Sequence, residues 1–121
     1  MTTRRVLVVD DQRDMREVAR MGLELAGGWD VLTAASGREA LAIARAEHPD
    51  AILLDVMMPD LDGPATVREL QSDPDTQSIP VILLTAEERS VSHPGVAGTL
   101  AKPFHPLRLA SQVAGVLGWF P

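Results

Sequence analysis

The chain has 121 residues, a formal net charge of −6 and 45% hydrophobic residues, which is typical of a small globular protein. The absence of cysteine excludes disulfides and thiolate metal sites, and the acidic balance argues against a broad nucleic-acid surface, since phosphate contacts need clustered Lys and Arg. The apolar run that follows Met1–Arg5 is too short for a signal peptide or a membrane span. We therefore expect a cytoplasmic protein, a single domain over residues 1–121, with no nucleic-acid partner and no membrane partner.

The first half of the chain predicts strands and helices in alternation. The run from Arg5 to Asp10 is apolar and ends in acid, a pattern typical of a strand buried on both faces. Residues 12–26 have helical periodicity, and residues 29–33 form a weaker strand. The sequence Ser36-Gly-Arg-Glu39 is a capping box that opens a second helix. The first helix is expected to turn one face inward, comprising Met15, Val18, Ala19, Gly22 and Leu25.

The second half continues the alternation. The apolar run 51–55 ends at Asp55, and Gly63-Pro64 starts a third helix. Residues 79–85 form a strand that ends at Thr85, residues 99–102 form a short fifth strand, and Pro106 opens a final helix. Between these two strands the pattern is poor, because serine, proline and glycine interrupt it.

This order of elements predicts an α/β protein with a flavodoxin-like, doubly wound parallel sheet of five strands in the order 2-1-3-4-5. Ligands of such sheets bind beyond the carboxyl ends of the strands, where the strand order reverses. We therefore expect five polar residues at one edge of the sheet, namely Asp10, Asp11, Asp55, Thr85 and Lys102.

Three carboxylates gathered at one edge repel one another, and a hard divalent cation relieves that repulsion. Oxygen ligands without His or Cys suit Mg²⁺ or Mn²⁺. A metal, the Lys102 ammonium and the Thr85 hydroxyl beside one acid make a receptacle for a phosphoryl group, with Asp55 as the nucleophile. Each residue also has a plainer interpretation. Asp10 and Asp11 would cap the first helix, and Lys102 would be a solvated surface charge.

Four motifs together resemble the receiver domain of two-component response regulators of the chemotaxis-regulator type. The resemblance covers essentially the whole chain. It rests on these residues: Val8-Val9-Asp10-Asp11, Leu54-Asp55-Val-Met-Met-Pro59 with Asp62-Gly63, Leu84-Thr85-Ala86, and Leu100-Ala101-Lys102-Pro103-Phe104.

The resemblance implies a signalling domain of a two-component or phosphorelay system and not an enzyme, apart from its own phosphotransfer and autodephosphorylation. Asp55 would accept a phosphoryl group from a sensor histidine kinase, a phosphotransfer protein or a small phosphodonor, and the modification would switch binding to a downstream protein. Thr85 and Lys102 would contact the phosphoryl oxygens, and the Lys102–Pro103 bond would be cis. The resemblance implies Mg²⁺ bound by Asp11, Asp55 and the backbone carbonyl of Met57, with Asp10 acting partly through water.

The chain departs from the family pattern in two places. Thr99 stands where the family has an aromatic residue that moves on activation, and the segment between Thr85 and Lys102 is short and holds proline and glycine. We therefore expect the family's fourth helix to be short, distorted or missing and the output face to be non-standard. Two alternatives stay open, a degenerate receiver that binds partners without phosphorylation and, less favoured, a phosphatase that uses Asp55 as its nucleophile.

Overall fold

The computed structural model describes residues 3–86 and 95–119. Within these ranges the chain forms five strands, four α-helices and one π-helical turn. The strands are β1 (Arg5–Val9), β2 (Asp30–Ala34), β3 (Ala51–Asp55), β4 (Val81–Thr85) and β5 (Gly98–Ala101). The helices are α1 (Arg13–Gly22), α2 (Gly37–Glu47), α3 (Gly63–Ser72) and α4 (Pro106–Leu117), and the π-helical turn, Leu23–Gly27, continues α1.

The five strands form one parallel sheet in the order β2-β1-β3-β4-β5, which confirms the predicted flavodoxin-like topology. Val9 lies opposite Ala34 on one side and Leu54 on the other, so β1 ends level with β2 and one residue short of the end of β3. Thr85 lies opposite Ala101. The carboxyl ends of the strands therefore meet along one edge of the sheet.

Two apolar layers cover the sheet, because successive side chains of each strand point to opposite faces. On one face, Leu7, Ile52 and Leu54 pack with α2 and α3. On the other face, Val8 and Leu53 pack with α1 and α4. This arrangement explains why the strand sequences are continuous apolar runs and do not alternate with polar residues.

Side chains cap three of the four helices at their amino ends. The Ser36 hydroxyl accepts the Glu39 N–H at 3.1 Å, so the capping residue predicted for α2 is confirmed. The Asp62 carboxylate caps α3, and the Nδ1 atom of His105 accepts an N–H in the first turn of α4. Gln12 is the N-cap residue of α1 and makes no such side-chain bond.

The inward face predicted for the first helix is wrong at two of its five positions, Val18 and Leu25. Leu25 is 73% exposed and Val18 is exposed, whereas Leu23 is fully buried. Val18 and Leu25 are about two turns apart and so lie on the same side of the helix, whereas the buried side is centred on Ala19, Gly22 and Leu23. Close packing of Gly22 against the backbone of Pro106 further limits which side chains fit between α1 and α4.

The expectation of a short, distorted or missing fourth family helix falls on residues 87–94, which lie outside the described part of the chain. Gly95 lies just before β5, and the last helix of the described chain is α4. Among the described residues, no helix has the length and apolar character needed to cross a membrane.

Candidate functional site

The strand ends place the predicted polar residues along one edge of the sheet. Asp10 directly follows β1, and its N–H donates to the Ala34 carbonyl at 3.1 Å. Asp55 is the last residue of β3, and Thr85 is the last residue of β4. The Thr85 carbonyl accepts the N–H of Lys102 at 2.8 Å, which fixes Lys102 one residue beyond β5.

Three of these residues form a cluster of carboxylates. Each of Asp10, Asp11 and Asp55 offers an oxygen that lies within 4.8 Å of the other two. Asp10 is 2% exposed and Asp55 is 7% exposed, whereas Asp11 is exposed to solvent. The cluster is therefore held by the sheet on its inner side and opens to solvent beside Asp11.

Lys102 supplies the positive charge of the site. Its Nζ lies 2.8 Å from Oδ2 of Asp10 and 3.3 Å from Oδ1 of Asp55. The side chain is 17% exposed, so Lys102 is not the solvated surface charge of the plainer interpretation. The Lys102–Pro103 peptide bond is cis, as the family resemblance implied.

The charges of the site shift two pKa values. Burial raises the pKa of Asp55, the Asp10 charge raises it further, and the Lys102 ammonium opposes both effects without cancelling them. Burial alone would lower the pKa of Lys102, but the hydrogen bond and charge of Asp10, together with Asp55, raise it. Lys102 is therefore firmly charged at neutral pH, and the ionised form of Asp55 is less favourable than in an exposed aspartate.

Backbone hydrogen bonds hold the two buried acids in place. The Gln12 N–H donates to Oδ1 of Asp10 at 2.9 Å, and the Met57 N–H donates to Oδ1 of Asp55 at 3.3 Å. Because Gln12 is the N-cap residue of α1, the plainer interpretation of Asp10 and Asp11 as N-caps is wrong. The Met57 side chain is exposed, so the contribution of this residue to the site is through its backbone.

Arg16 is a site residue that the sequence did not reveal. Its guanidinium donates to the backbone carbonyl of Asp10 at 2.8 Å and so ties α1 to the segment that carries the acidic pair. In the sequence, Arg16 is one of several cations on the polar side of α1, and helical periodicity does not distinguish it from them.

The loop between β3 and α3 (residues 56–62) carries two more acids, Asp60 and Asp62. Asp62 is the capping residue of α3, its Oδ1 accepting the Ala65 N–H at 2.8 Å. Asp60 instead contacts α2, because its two oxygens lie 3.3 Å from the backbone nitrogens of Gly37 and Arg38. Neither acid belongs to the carboxylate cluster.

The chemistry of the donor set fits a hard divalent cation. All three side chains of the cluster are carboxylates, which offer the oxygen ligands that such cations prefer. One member, Asp11, is exposed, so a partly hydrated ion has access. The fold thus brings together the three carboxylates predicted for the metal site.

Comparison with known proteins gives the same family as the sequence motifs. The family model described as the response regulator receiver domain matches residues 6–114. The chain is 36% identical over 122 residues to the probable transcriptional regulator ycf27 of Porphyridium aerugineum, with 97% of this chain and 49% of that protein covered. It is 41% identical over 119 residues to the response regulator MprA of Mycolicibacterium vanbaalenii, with 93% of this chain and 50% of the relative covered. The chain therefore spans about half the length of these curated relatives.

Solved structures agree with the sequence relatives. The chemotaxis response regulator CheY4 of Vibrio cholerae has a TM-score of 0.85 and 34% identity, with 95% of this chain and 99% of that structure covered. A response regulator structure from Chloroflexus aurantiacus gives a TM-score of 0.85 and 32% identity, covering 97% and 99% of the two chains. The family match, which spans most of the chain, and these relatives lead to one conclusion: the chain belongs to the response regulator receiver domain family of two-component signalling.

Proposed function

We propose that this receiver domain is controlled by phosphorylation of Asp55. The observation that carries the proposal is the position of the Lys102 ammonium, which contacts Asp10 and Asp55 at once beside the exposed carboxylate of Asp11. Such a site holds the Asp55 carboxylate at the edge of the sheet with the Lys102 ammonium next to it. A phosphoryl group on Asp55 meets a charge that neutralises its oxygens.

The transfer makes one bond and breaks another. A carboxylate oxygen of Asp55 attacks phosphorus, and the bond between phosphorus and the donor imidazole nitrogen of a phosphohistidine breaks. The imidazole takes the bonding electron pair and then a proton from water. Hydrolysis ends the modified state: water attacks phosphorus, the bond between phosphorus and the Asp55 oxygen breaks, and inorganic phosphate and a proton are released as the carboxylate is regenerated. Lys102 and Thr85 contact the phosphoryl oxygens during both steps.

A divalent cation is part of the proposal. Mg²⁺, for which Mn²⁺ can substitute, would be held by Asp11, Asp55 and the backbone carbonyl of Met57, with Asp10 acting partly through water. When bound, it neutralises charge on the phosphoryl oxygens and on the acidic cluster. The exposed position of Asp11 and the small separation of the three carboxylates support this assignment.

The partners follow from this chemistry. The donor is a sensor histidine kinase, a phosphotransfer protein or a small phosphodonor in the cytoplasm, and the modified domain switches its binding to a downstream protein.

We propose that residues 1–121 act as a single domain and that the output surface is non-standard. The support is Thr99, which lies half-buried in β5 opposite Leu83, where the family carries an aromatic residue.

Intact-mass measurement after incubation with Mg²⁺ and acetyl phosphate tests the proposal. The wild-type chain is expected to gain one phosphoryl group, and Asp55→Asn is expected to gain none. Asp75→Asn removes an exposed acid from the turn after α3 and serves as the matched control, which should be modified like the wild type. Absence of an adduct with acetyl phosphate and with a phosphorylated kinase would instead support a phosphorylation-independent binding module. Repeated turnover of an external phosphoester would support a phosphatase.

A further inference from the structure

Asp60, in the β3–α3 loop, contacts the start of α2, whereas Asp62, the other acid of this loop, caps α3. Its Oδ1 accepts the Gly37 N–H and its Oδ2 accepts the Arg38 N–H, both at 3.3 Å, across 23 and 22 residues of chain. Both donors belong to the first turn of α2, where backbone N–H groups have no partner within the helix. One carboxylate of the β3–α3 loop therefore caps a helix that lies elsewhere in the sequence.

The junction around this contact is closely packed. A Cβ atom on Gly37 would lie 2.5 Å from the Thr66 hydroxyl and 2.8 Å from the Leu61 carbonyl, so only glycine fits there without a shift of backbone. The buried Thr66 hydroxyl donates to the carbonyls of Leu61 and Asp62, at 3.3 and 2.9 Å. The loop, the start of α2 and the start of α3 thus form one packed unit.

The same loop begins at the proposed phosphoacceptor. The Met57 N–H donates to the Asp55 carboxylate at 3.3 Å, and the Gly63 N–H donates to the Val56 carbonyl at 3.0 Å. A Cβ on Gly63 would lie 2.9 Å from the Val56 Cα, so the two ends of the loop are in close contact. A change in the charge and hydrogen bonding of Asp55 therefore reaches residues 56–62 through the Met57 N–H, and Asp60 is one of these residues.

We propose that Asp60 is a positioning residue that couples the phosphorylation state of Asp55 to the first turn of α2. The inference rests on the proposed phosphorylation of Asp55. Coupling between two sites is reciprocal, so loss of the Asp60 contact must also change the stability of the modified form of Asp55.

The charge of Asp60 suits this role. Slight burial opposes ionisation, but the N–H groups of Leu61, Arg38 and Gly37 outweigh it and lower the pKa of Asp60. The carboxylate is therefore charged at neutral pH, and a negative charge is favourable at the positive end of a helix dipole. A shift of the loop by a fraction of an ångström lengthens bonds that are already at 3.3 Å and weakens them further.

The surface that this coupling would alter is a cleft between α2 and α3. The cleft has a volume of about 310 Å³, and one of its walls is Leu61 from the β3–α3 loop. The rest of the lining comes from the two helices and comprises Arg38, Leu41, Ala42, Arg45 and Glu69. Because Arg38 is also a backbone donor to Asp60, a change in the contact reaches the cleft directly.

Amide hydrogen exchange, measured by NMR with acetyl phosphate and Mg²⁺ in excess, tests the coupling. The Gly37 and Arg38 amides report the contact, and intact mass of the same sample gives the modified fraction. In the wild type we expect the exchange rate of these two amides to rise about threefold on modification, because a shift of the loop weakens their bonds to Asp60. In Asp60→Ala their protection should fall about two- to fivefold in the unmodified protein, the effect of a lost capping bond, and should no longer respond to modification.

Two variants serve as comparisons. Ser36→Ala removes the other cap of α2, the bond to the Glu39 N–H at 3.1 Å, but leaves the loop contact in place. It should lower the protection of Glu39 and keep the response of Gly37 and Arg38. Asp60→Asn keeps one acceptor oxygen and should restore part of the response. The rate of adduct loss, followed by mass, should change in Asp60→Ala and not in Ser36→Ala.

Three results would overturn the inference. The first is an adduct on the wild type without any change in amide exchange at Gly37 and Arg38. That result would contradict the coupling and would still support the phosphorylation of Asp55. The second is a full response in Asp60→Ala. The third is the absence of any adduct on Asp55, which removes the proposed function and the coupling together.

Discussion

The two ends of the sheet differ in what covers them. At the carboxyl ends of the strands, Asp10, Asp55 and Lys102 are buried or half-buried charges in contact with one another. At the amino ends, the rings of Trp29 and Trp119 meet edge to face, with centroids 5.3 Å apart and planes at 87°. The same sheet therefore ends in charge on one side and in aromatic packing on the other.

The aromatic end joins distant parts of the chain. Trp29 precedes β2, Trp119 follows α4, and the Arg4 guanidinium lies 4.3 Å from the centre of the Trp119 ring. The Arg4 carbonyl accepts the N–H of Asp30 at 2.9 Å. Aromatic pairs of this geometry and cation–π contacts favour the folded state.

The difference teaches where stability and function reside in this fold. Burying like charges costs free energy, and the raised pKa of Asp55 is the sign of that cost at the carboxyl end. At the amino end, the described contacts of Trp29, Trp119 and Arg4 bring no like charges together, and they stabilise the fold through ring packing and a cation–π contact. Substitutions at the two ends should therefore respond differently to pH and to divalent cations, and this can be measured.

The largest effect is expected for Lys102→Ala. Removing the ammonium leaves Asp10 and Asp55 without their cation, and breaking a partly buried ion pair typically lowers the free energy of unfolding by about 3 kcal/mol. The pKa of Lys102 is raised by folding, so its contribution is fully present at pH 7 and is lost only as pH rises through that raised value. Urea unfolding at pH 7 without Mg²⁺ measures the loss.

Arg68→Ala is the matched control, because Arg68 is an exposed cation on α3. It should change the free energy of unfolding by less than about 0.5 kcal/mol. Mg²⁺ should recover more stability in Lys102→Ala than in the wild type, since the unbalanced carboxylates attract a divalent cation more strongly. Equal losses in the two variants would mean that the ammonium does not balance the acidic cluster.

The next effect is expected at the aromatic end. Trp119→Ala removes the ring that contacts both Trp29 and Arg4, and should lower the free energy of unfolding by about 2 kcal/mol, less than a fully buried ring because Trp119 is partly exposed. Trp119→Phe keeps an aromatic ring and should lose about half as much. Chemical unfolding with and without Mg²⁺ should give the same loss. A loss that depends on Mg²⁺ would contradict the separation of the two ends.

The sequence predicted the carboxyl end much better than the amino end. Asp10, Asp55, Thr85 and Lys102 each end or follow a strand, and parallel strands bring their carboxyl ends to one edge whatever the details of packing. Trp29 and Trp119 carry no such positional signal. Their contact depends on how α4 ends over the sheet, and periodicity does not encode that.

The other features that the sequence did not predict also depend on tertiary contacts. Leu25 is exposed because the buried side of the first helix is centred on Ala19, Gly22 and Leu23, a rotation that the apolar pattern does not reveal. The contacts of Arg16 with the Asp10 carbonyl and of Asp60 with α2 use backbone partners. Every residue offers the same backbone groups, so sequence identity does not point to such partners. Sequence patterns locate the strands and their ends, whereas tertiary hydrogen bonds can be identified only in the folded structure.

The smallest effect, and the one with opposite sign, is expected for Asp55→Asn. Asparagine keeps the shape of the side chain and removes a charge that burial and Asp10 disfavour, at the expense of part of its attraction to Lys102. We expect the free energy of unfolding at pH 7 without Mg²⁺ to rise, by less than the losses expected for Lys102→Ala and Trp119→Ala, because the weakened attraction to Lys102 offsets part of the gain.

The pH dependence of Asp55→Asn separates electrostatics from packing. Folding raises the pKa of Asp55, so the stability that its neutral form provides is fully present below the unfolded pKa and is lost as pH rises through the folded pKa. The advantage of Asp55→Asn should therefore be full at pH 7 and shrink as pH falls through that value, because the wild-type carboxyl becomes neutral too. Urea unfolding of both proteins at a series of pH values measures this difference, with Asp75→Asn as the exposed-acid control. An advantage that stays constant with pH would assign the effect to packing, and the charged end of the sheet would then resemble the aromatic one.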